Sequence, residues 1–233
     1  PLAGKILNCE IFNCNVMITG SNVGVSYADG EPYVARVYVS GLVGESYSSI
    51  IRNCTVTLND STLQAKAYDV STGAMYANFV VGGIIGFSHP GSDNTNSIGQ
   101  IGNQVINCKV ISINTSQRDV LIGSLRNGEE VVVGGLVGCT FNNFVAKNCF
   151  VNIVNGNIVA EKTGTTDHNS TYGTTAGGLV GRLEHTGEIY NCSVNGDCLN
   201  IIAKSPENST YAGGVVGVDM GPYHRDVITI NKF

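Results

Sequence analysis

The sequence predicts an all-β chain folded as a right-handed parallel β-helix: a solenoid of about five coils, roughly 42 residues per coil, with loop insertions at its corners. Three observations predict it. Helix-favouring residues are scarce, a Gly-rich motif recurs five times, and an Asn-Cys motif recurs out of phase with it.

Thirty of the 233 residues are Gly and only 13% are charged, which argues against long helices. Val, Ile, Thr, Tyr, Asn and Gly fill the chain instead. The 42% hydrophobic share supplies enough apolar surface to offset ordering entropy, so disorder is not expected. No apolar run reaches the roughly 18 residues of a membrane-spanning helix, so no membrane insertion is expected in this segment. The net charge is −5 and Lys and Arg are scattered, which excludes the electrostatic footprint of a nucleic-acid binder. The first residue, Pro1, reads as the start of a processed product or an excerpt. Residues 1–233 read as a single repeat domain.

The first motif is Gly, two aliphatics, Gly: Gly41-Leu42-Val43-Gly44, Gly83-Ile84-Ile85-Gly86, Gly135-Leu136-Val137-Gly138, Gly178-Leu179-Val180-Gly181 and Gly214-Val215-Val216-Gly217. An extra Gly precedes it at Gly82, Gly134, Gly177 and Gly213, where the first copy has Ser40. The second motif is Asn-Cys-x-Val, at Asn13-Cys14, Asn53-Cys54, Asn107-Cys108, Asn148-Cys149 and Asn191-Cys192. The cysteines are spaced by 40, 54, 41 and 43 residues; the long interval matches a polar insertion, Ser88 to Gly99.

Each Cys and the Val two after it share a strand face. The residue three before, Ile11, Ile51, Val105, Ala146 or Ile189, is also apolar or small but has the wrong parity, so the chain must bend at the Asn. Asn tolerates left-handed geometry, and stacked Asn side chains can bond in a ladder. A third apolar strand, such as Leu63 to Tyr68 or Val120-Leu121-Ile122, completes three strands and three bends per unit. Stacking such units buries a row that no single unit can bury. A propeller has blades of similar length, but the chain lacks Trp and carries a Gly/Asn/Cys signature.

Gly-Leu-Val-Gly followed by Asn-Cys-x-Val resembles the GLUG-motif repeats of secreted and cell-surface proteins, over roughly residues 6 to 217. The resemblance implies a solenoid stalk or adhesive region of a larger surface protein, and it carries over no catalytic residue.

Five of the eight cysteines, Cys14, Cys54, Cys108, Cys149 and Cys192, form the expected core row, reading as small buried hydrophobes rather than a disulfide or metal ladder. Asn13, Asn53, Asn107, Asn148 and Asn191 form the corner row. Cys9 could bridge Cys14, and Cys198 could bridge Cys192. No Cys or His pair has zinc spacing, and no metal or cofactor is expected. The acids Asp60, Asp69, Asp119, Glu161, Asp197 and Asp219 share no repeat position, and Glu129-Glu130 reads as a solvated turn. His89, His168, His185 and His224 read as loop or end residues. No nucleophile elbow or phosphate loop occurs, so no enzyme is expected. Acceptor tripeptides for N-glycosylation stand at Asn169, Asn208, Asn59 and Asn114, and also within the Asn row at Asn53 and Asn191.

The expected role is therefore an extracellular or cell-surface structural or adhesive element. Its partners would be other copies of itself, by end-to-end or lateral assembly, or a host or cell-surface glycan or protein. The loops Ser88 to Gly99 and Lys162 to Thr175 are the candidate contacts. The alternatives are a subunit of an end-to-end stacked glycoprotein fibre, and a β-helix that binds or cleaves polysaccharide.

Overall fold

A computed structural model describes residues 2–27, 35–67, 77–90, 102–125, 130–164, 173–206, 209–220 and 228–229. Among them every element is a strand, and every strand pairing is parallel.

The strands stack into four sheets. The first contains Ala35–Ser40, Ala77–Gly82, Glu130–Gly134, Thr174–Gly177 and Thr210–Gly213. The second contains Ala3–Leu7, Val43–Tyr47, Ile85–His89, Val137–Phe141, Val180–Glu184 and Val216–Asp219. The third is made of short strands, Glu10–Phe12, Ile50–Arg52, Gln104–Ile106, Phe144–Lys147, Gly187–Tyr190 and Ile228–Thr229. The fourth holds the strands that follow the Asn-Cys motif, such as Thr55–Asn59, Lys109–Leu125 and Phe150–Lys162, together with Thr62–Ala67 and Leu199–Lys204.

Equivalent residues of successive coils lie side by side. Val16 pairs Val56, Val56 pairs Val110, Val110 pairs Val151 and Val151 pairs Val194. In the first sheet Val39, Val81, Val133, Ala176 and Ala212 form an equal row. Val56, Val110, Val151, Val39, Val81, Val133 and Ala176 of these rows join Leu42, Ile84, Leu136 and Leu179 in one continuous buried cluster, with Val16 and Val194 packed against it. A fully buried Val or Leu contributes about 1.5–3 kcal/mol, and each coil gains that burial only from its neighbours.

The glycines are required by the same stacking. A methyl at Gly135 would overlap the Gly178 carbonyl oxygen one coil on, and a methyl at Gly82 would overlap the carbonyl oxygen of Ile85. The second overlap marks how sharply the first sheet folds onto the second.

The coil differs from the expected three strands. A strand of three or four residues, in the third sheet, stands between the Gly strand and the Cys strand, and it is too short to carry a period-2 signal. The third apolar strand does not start a new sheet: Thr62–Ala67 continues the sheet of Thr55–Asn59 across a left-handed residue, Asp60, φ 48°. The two candidate contact loops lie largely outside the described residues, as do Tyr68 and all of Asp226 to Asn231 except Ile228–Thr229.

Asn103, unnoticed in the sequence, closes the corner where the chain returns from the insertion. It is fully buried. Its Oδ1 accepts from Ser46 Oγ (2.7 Å) and Ser49 N (2.9 Å), and its Nδ2 donates to Ser46 O (2.9 Å), Ser88 Oγ (2.8 Å) and His89 O (2.6 Å). One amide thus pairs polar groups from two coils that the long insertion would otherwise leave buried and unmet.

Candidate functional site

The Asn-Cys corner is the most regular feature outside the core. Asn13, Asn53, Asn107, Asn148 and Asn191 all hold φ between 51° and 56°, the left-handed region that Asn tolerates. Their side chains are exposed, and those of Asn53, Asn107, Asn148 and Asn191 are joined along the axis. Asn107 Nδ2 donates to Asn53 Oδ1 (3.1 Å), Asn148 to Asn107 (3.0 Å) and Asn191 to Asn148 (2.7 Å).

Directly after each Asn, the thiol turns inward and fills the corner. Cys108 Sγ donates towards Ile106 O (3.3 Å) in its own coil and Ile51 O (3.5 Å) in the coil before. Cys149 does the same with Lys147 O (3.4 Å) and Val105 O (3.2 Å). The sulfur also accepts: Cys14 N donates to Cys54 Sγ (3.4 Å) and Cys149 N to Cys192 Sγ (3.3 Å). The other corners use the same device with a hydroxyl. After left-handed Ser48, Ser49 Oγ donates to Tyr47 O (2.7 Å) and accepts from Cys9 N (3.1 Å). After left-handed Asp60, Ser61 Oγ donates to Asn59 O (2.8 Å) and accepts from Ser21 N (3.2 Å). The row is therefore a structural plug made of a small donor-acceptor. Burial pushes the Cys108 thiol up to about 12 and also raises Cys54; Cys149 is raised by its hydrogen bond with Cys192 and then by burial. These thiols stay protonated and unreactive.

A second cluster lies on the outer side of the bend between the first and second sheets. Val80, Val132 and Cys139 form a small apolar group there, flanked by Tyr38 and Phe87. Beside it Arg182 stands between Glu130 (Nη1 to Oε2, 2.9 Å) and Glu184 (Nε to Oε1, 2.7 Å). All three are less than a tenth exposed. Burial alone would lower Arg182, but Cys139, Glu130 and Glu184 hold it above its ordinary value; burial raises Glu184 despite Arg182. Glu130 thus corrects the solvated-turn reading: it is the first residue of a strand and buried against a guanidinium. Glu129 lies outside the described residues. The available signal was Arg182 itself, a charge in a low-charge chain at the position held by Phe87 and Cys139 in earlier coils. Closed carboxylates of this kind fix the fit of neighbouring coils and are not presented to a substrate.

Compared with known families, residues 172–201 match the GLUG motif. That span contains one Gly-Gly-Leu-Val-Gly bend and one Asn-Cys corner, the two features that recur in register along the solenoid. The chain carries a GLUG motif over those residues. Neither the curated proteins nor the solved structures contain a significant match.

In the solenoid all eight cysteines are free. Cys9 and Cys14 occupy two different corners, each turned to a carbonyl of its own strand, Leu7 O (3.0 Å) and Phe12 O (3.5 Å), so the Cys9–Cys14 bridge is not formed. Cys198 is exposed at a left-handed bend and Cys192 Sγ faces Tyr190 O (3.3 Å), so that bridge is absent too. Cys139 is fully buried in the outer cluster, where burial pushes its thiol up to about 12. Among the described residues no group of three or more His, Cys, Asp or Glu is placed to hold a metal ion. His89 is a strand residue stacked on Tyr47 (4.4 Å) and 3.2 Å from Glu45, not a loop residue, and His185 is a left-handed bend residue.

The glycan candidates divide. Asn114 is buried, and its Nδ2 donates to Val154 O (2.9 Å) and Ser112 Oγ (3.1 Å); a glycan there and this fold exclude each other, which corrects that assignment. Asn59 is half-buried, with its Oδ1 enclosed. Asn53 and Asn191 are tied into the amide ladder. Asn169 and Asn208 lie outside the described residues.

Proposed function

We propose that the chain is a non-catalytic structural or adhesive element of an extracellular or cell-surface protein, built as about five right-handed coils. One observation carries the reading: identical rows run in register through successive coils, inside and out. Such stacking yields a stiff rod with repeating surface stripes, the geometry of a spacer or a contact surface. The inward thiols and the enclosed Arg182 pairs serve that rod, and the exposed stripes are free for contact.

Antibody against the native chain, applied to intact producing cells, tests the reading. Labelling without permeabilisation, and competition of cell attachment by the soluble chain, are the expected results. Labelling only after lysis would overturn it.

A second reading is self-assembly through strand edges. It is favoured by Leu7, Phe12 and Met17, which are exposed on the coil of Ala3–Leu7 to Asn22–Tyr27. A sedimentation series over concentration separates the two, since a species that stays monomeric at high concentration removes self-assembly.

A further inference from the structure

The two rows that flank the Asn ladder carry charge in a pattern that the core does not need. On the third-sheet side the outward row runs Phe12, Arg52, Ile106, Lys147 and Tyr190, each paired in register with the next. On the fourth-sheet side Lys109 stands next to the ladder, between Thr55 and Phe150 of the adjoining coils. The three middle coils therefore present one exposed cation each, Arg52, Lys109 and Lys147, beside Asn53, Asn107 and Asn148. No carboxylate stands in these rows within those coils. The carboxylates, Glu10 (paired with Arg52) and Glu188, belong to the two flanking coils. In a chain of net charge −5, Lys109 and Lys147 make the centre of this stripe locally positive, while Arg52 is balanced by Glu10.

The ladder adds polar groups at the same period. Asn107, Asn148 and Asn191 each spend one N–H on the Asn of the preceding coil, which leaves the second N–H at the surface. Aromatic rings end the stripe on both sides: Phe12 is 52% exposed and Tyr190 48% exposed. Arg52 lies 5.2 Å from the Phe12 ring and Lys147 5.7 Å from the Tyr190 ring.

From this geometry we infer that the Asn-corner stripe is a docking track for a linear polyuronate, lying along the solenoid axis. Coils repeat every ~4.8 Å, a period comparable to one pyranose of an extended chain. Lys109 and Lys147, with Arg52 shared with Glu10, and the second amide N–H of Asn107 and Asn148 set positive charge and donors at about the spacing of carboxylates along a polyuronate. The exposed rings at the two ends offer the apolar faces that pyranoses stack on. The inference rests on the adhesive reading and names its ligand class.

The test uses the whole chain in affinity electrophoresis through gels holding polygalacturonate, a neutral linear glucan, or duplex DNA. Retardation by polygalacturonate alone, abolished near 1 M salt, is expected. The Lys109→Gln/Lys147→Gln variant should lose about fivefold or more in affinity, Tyr190→Ala should weaken binding without changing its salt dependence, and Lys204→Gln, an exposed cation away from the ladder, should bind as the parent does. No retardation, equal retardation by the glucan or by DNA, or an equal loss in Lys204→Gln would overturn the inference. If intact cells display the chain and polygalacturonate does not retard it, the docking track fails while the surface role stands.

Discussion

Asn148 donates its side-chain amide to Asn107 Oδ1 at 3.0 Å, although the two stand 41 residues apart in the chain. The bond exists because both residues hold the same left-handed backbone at the same corner of successive coils. Local conformation and long-range contact are therefore tested together by one residue. Asn107→Ala must place a Cβ residue in the left-handed region, at about 1–2 kcal/mol, and also breaks two ladder bonds. Asn107→Gly loses the ladder bonds alone. Denaturant midpoints should rank the parent above Asn107→Gly, and Asn107→Gly above Asn107→Ala; equal losses in the two variants would show that the backbone requirement is absent.

Gly135 and Gly214 occupy the same motif position, but among the described residues only Gly135 of the two has a neighbouring coil against its Cα. A methyl at Gly135 overlaps the Gly178 carbonyl oxygen, a backbone atom that cannot move without parting the coils, whereas a methyl at Gly214 meets nothing within 4 Å. Gly135→Ala should therefore cost several kcal/mol, and Gly214→Ala should stay within about 0.5 kcal/mol of the parent. Thermal unfolding of the two variants checks this. A Gly135→Ala chain as stable as Gly214→Ala would contradict the interlocked stacking.

What could be read from the sequence was whatever repeats. The Gly bend and the Asn-Cys corner announced themselves because stacking demands the same residue in each coil, and the parity break at Ile51, Asn53 and Cys54 located a real bend. The residues missed are those used once. Asn103 closes a corner next to the single long insertion, and Arg182, Glu130 and Glu184 meet only because one sheet folds onto another. Glu130 looked like a turn residue from its Asn127-Gly128 neighbours, and nothing local in the sequence reveals the guanidinium 52 residues later. The third sheet escaped notice because three or four residues make no clear period.

Exposed and enclosed thiols should separate under alkylation. Cys9 and Cys198 are exposed, while Cys54 and Cys108 are fully buried and their thiols are raised by burial, Cys108 to about 12. Near pH 8 almost none of the Cys108 population is thiolate, and the thiolate is the reacting form. Iodoacetamide on the native chain, followed by peptide mass spectrometry, should modify Cys9 and Cys198 and spare Cys54 and Cys108 until denaturant is added. Rapid labelling of Cys108 in the folded chain would mean that the corner opens.

Arg182 supplies the sharpest electrostatic test, because two buried carboxylates depend on it. Arg182→Leu leaves Glu130 and Glu184 enclosed without a counter-charge, which should cost about 3–5 kcal/mol near neutral pH. Adding Glu130→Gln and Glu184→Gln to the same chain should restore most of the loss, since amides need no counter-charge. The pH dependence has a definite sign. Burial already raises Glu184 above its ordinary value, so its contribution is fully present at low pH, below the unfolded value, and is lost as pH rises through the folded value. Removing the guanidinium takes away the charge that opposes the rise in Glu184 and widens that window. Unfolding midpoints of Arg182→Leu should therefore approach those of the parent as pH falls from neutral to about 4. A deficit that stays constant over that range would mean the loss comes from packing around the Arg182 stem, with the carboxylates playing no part.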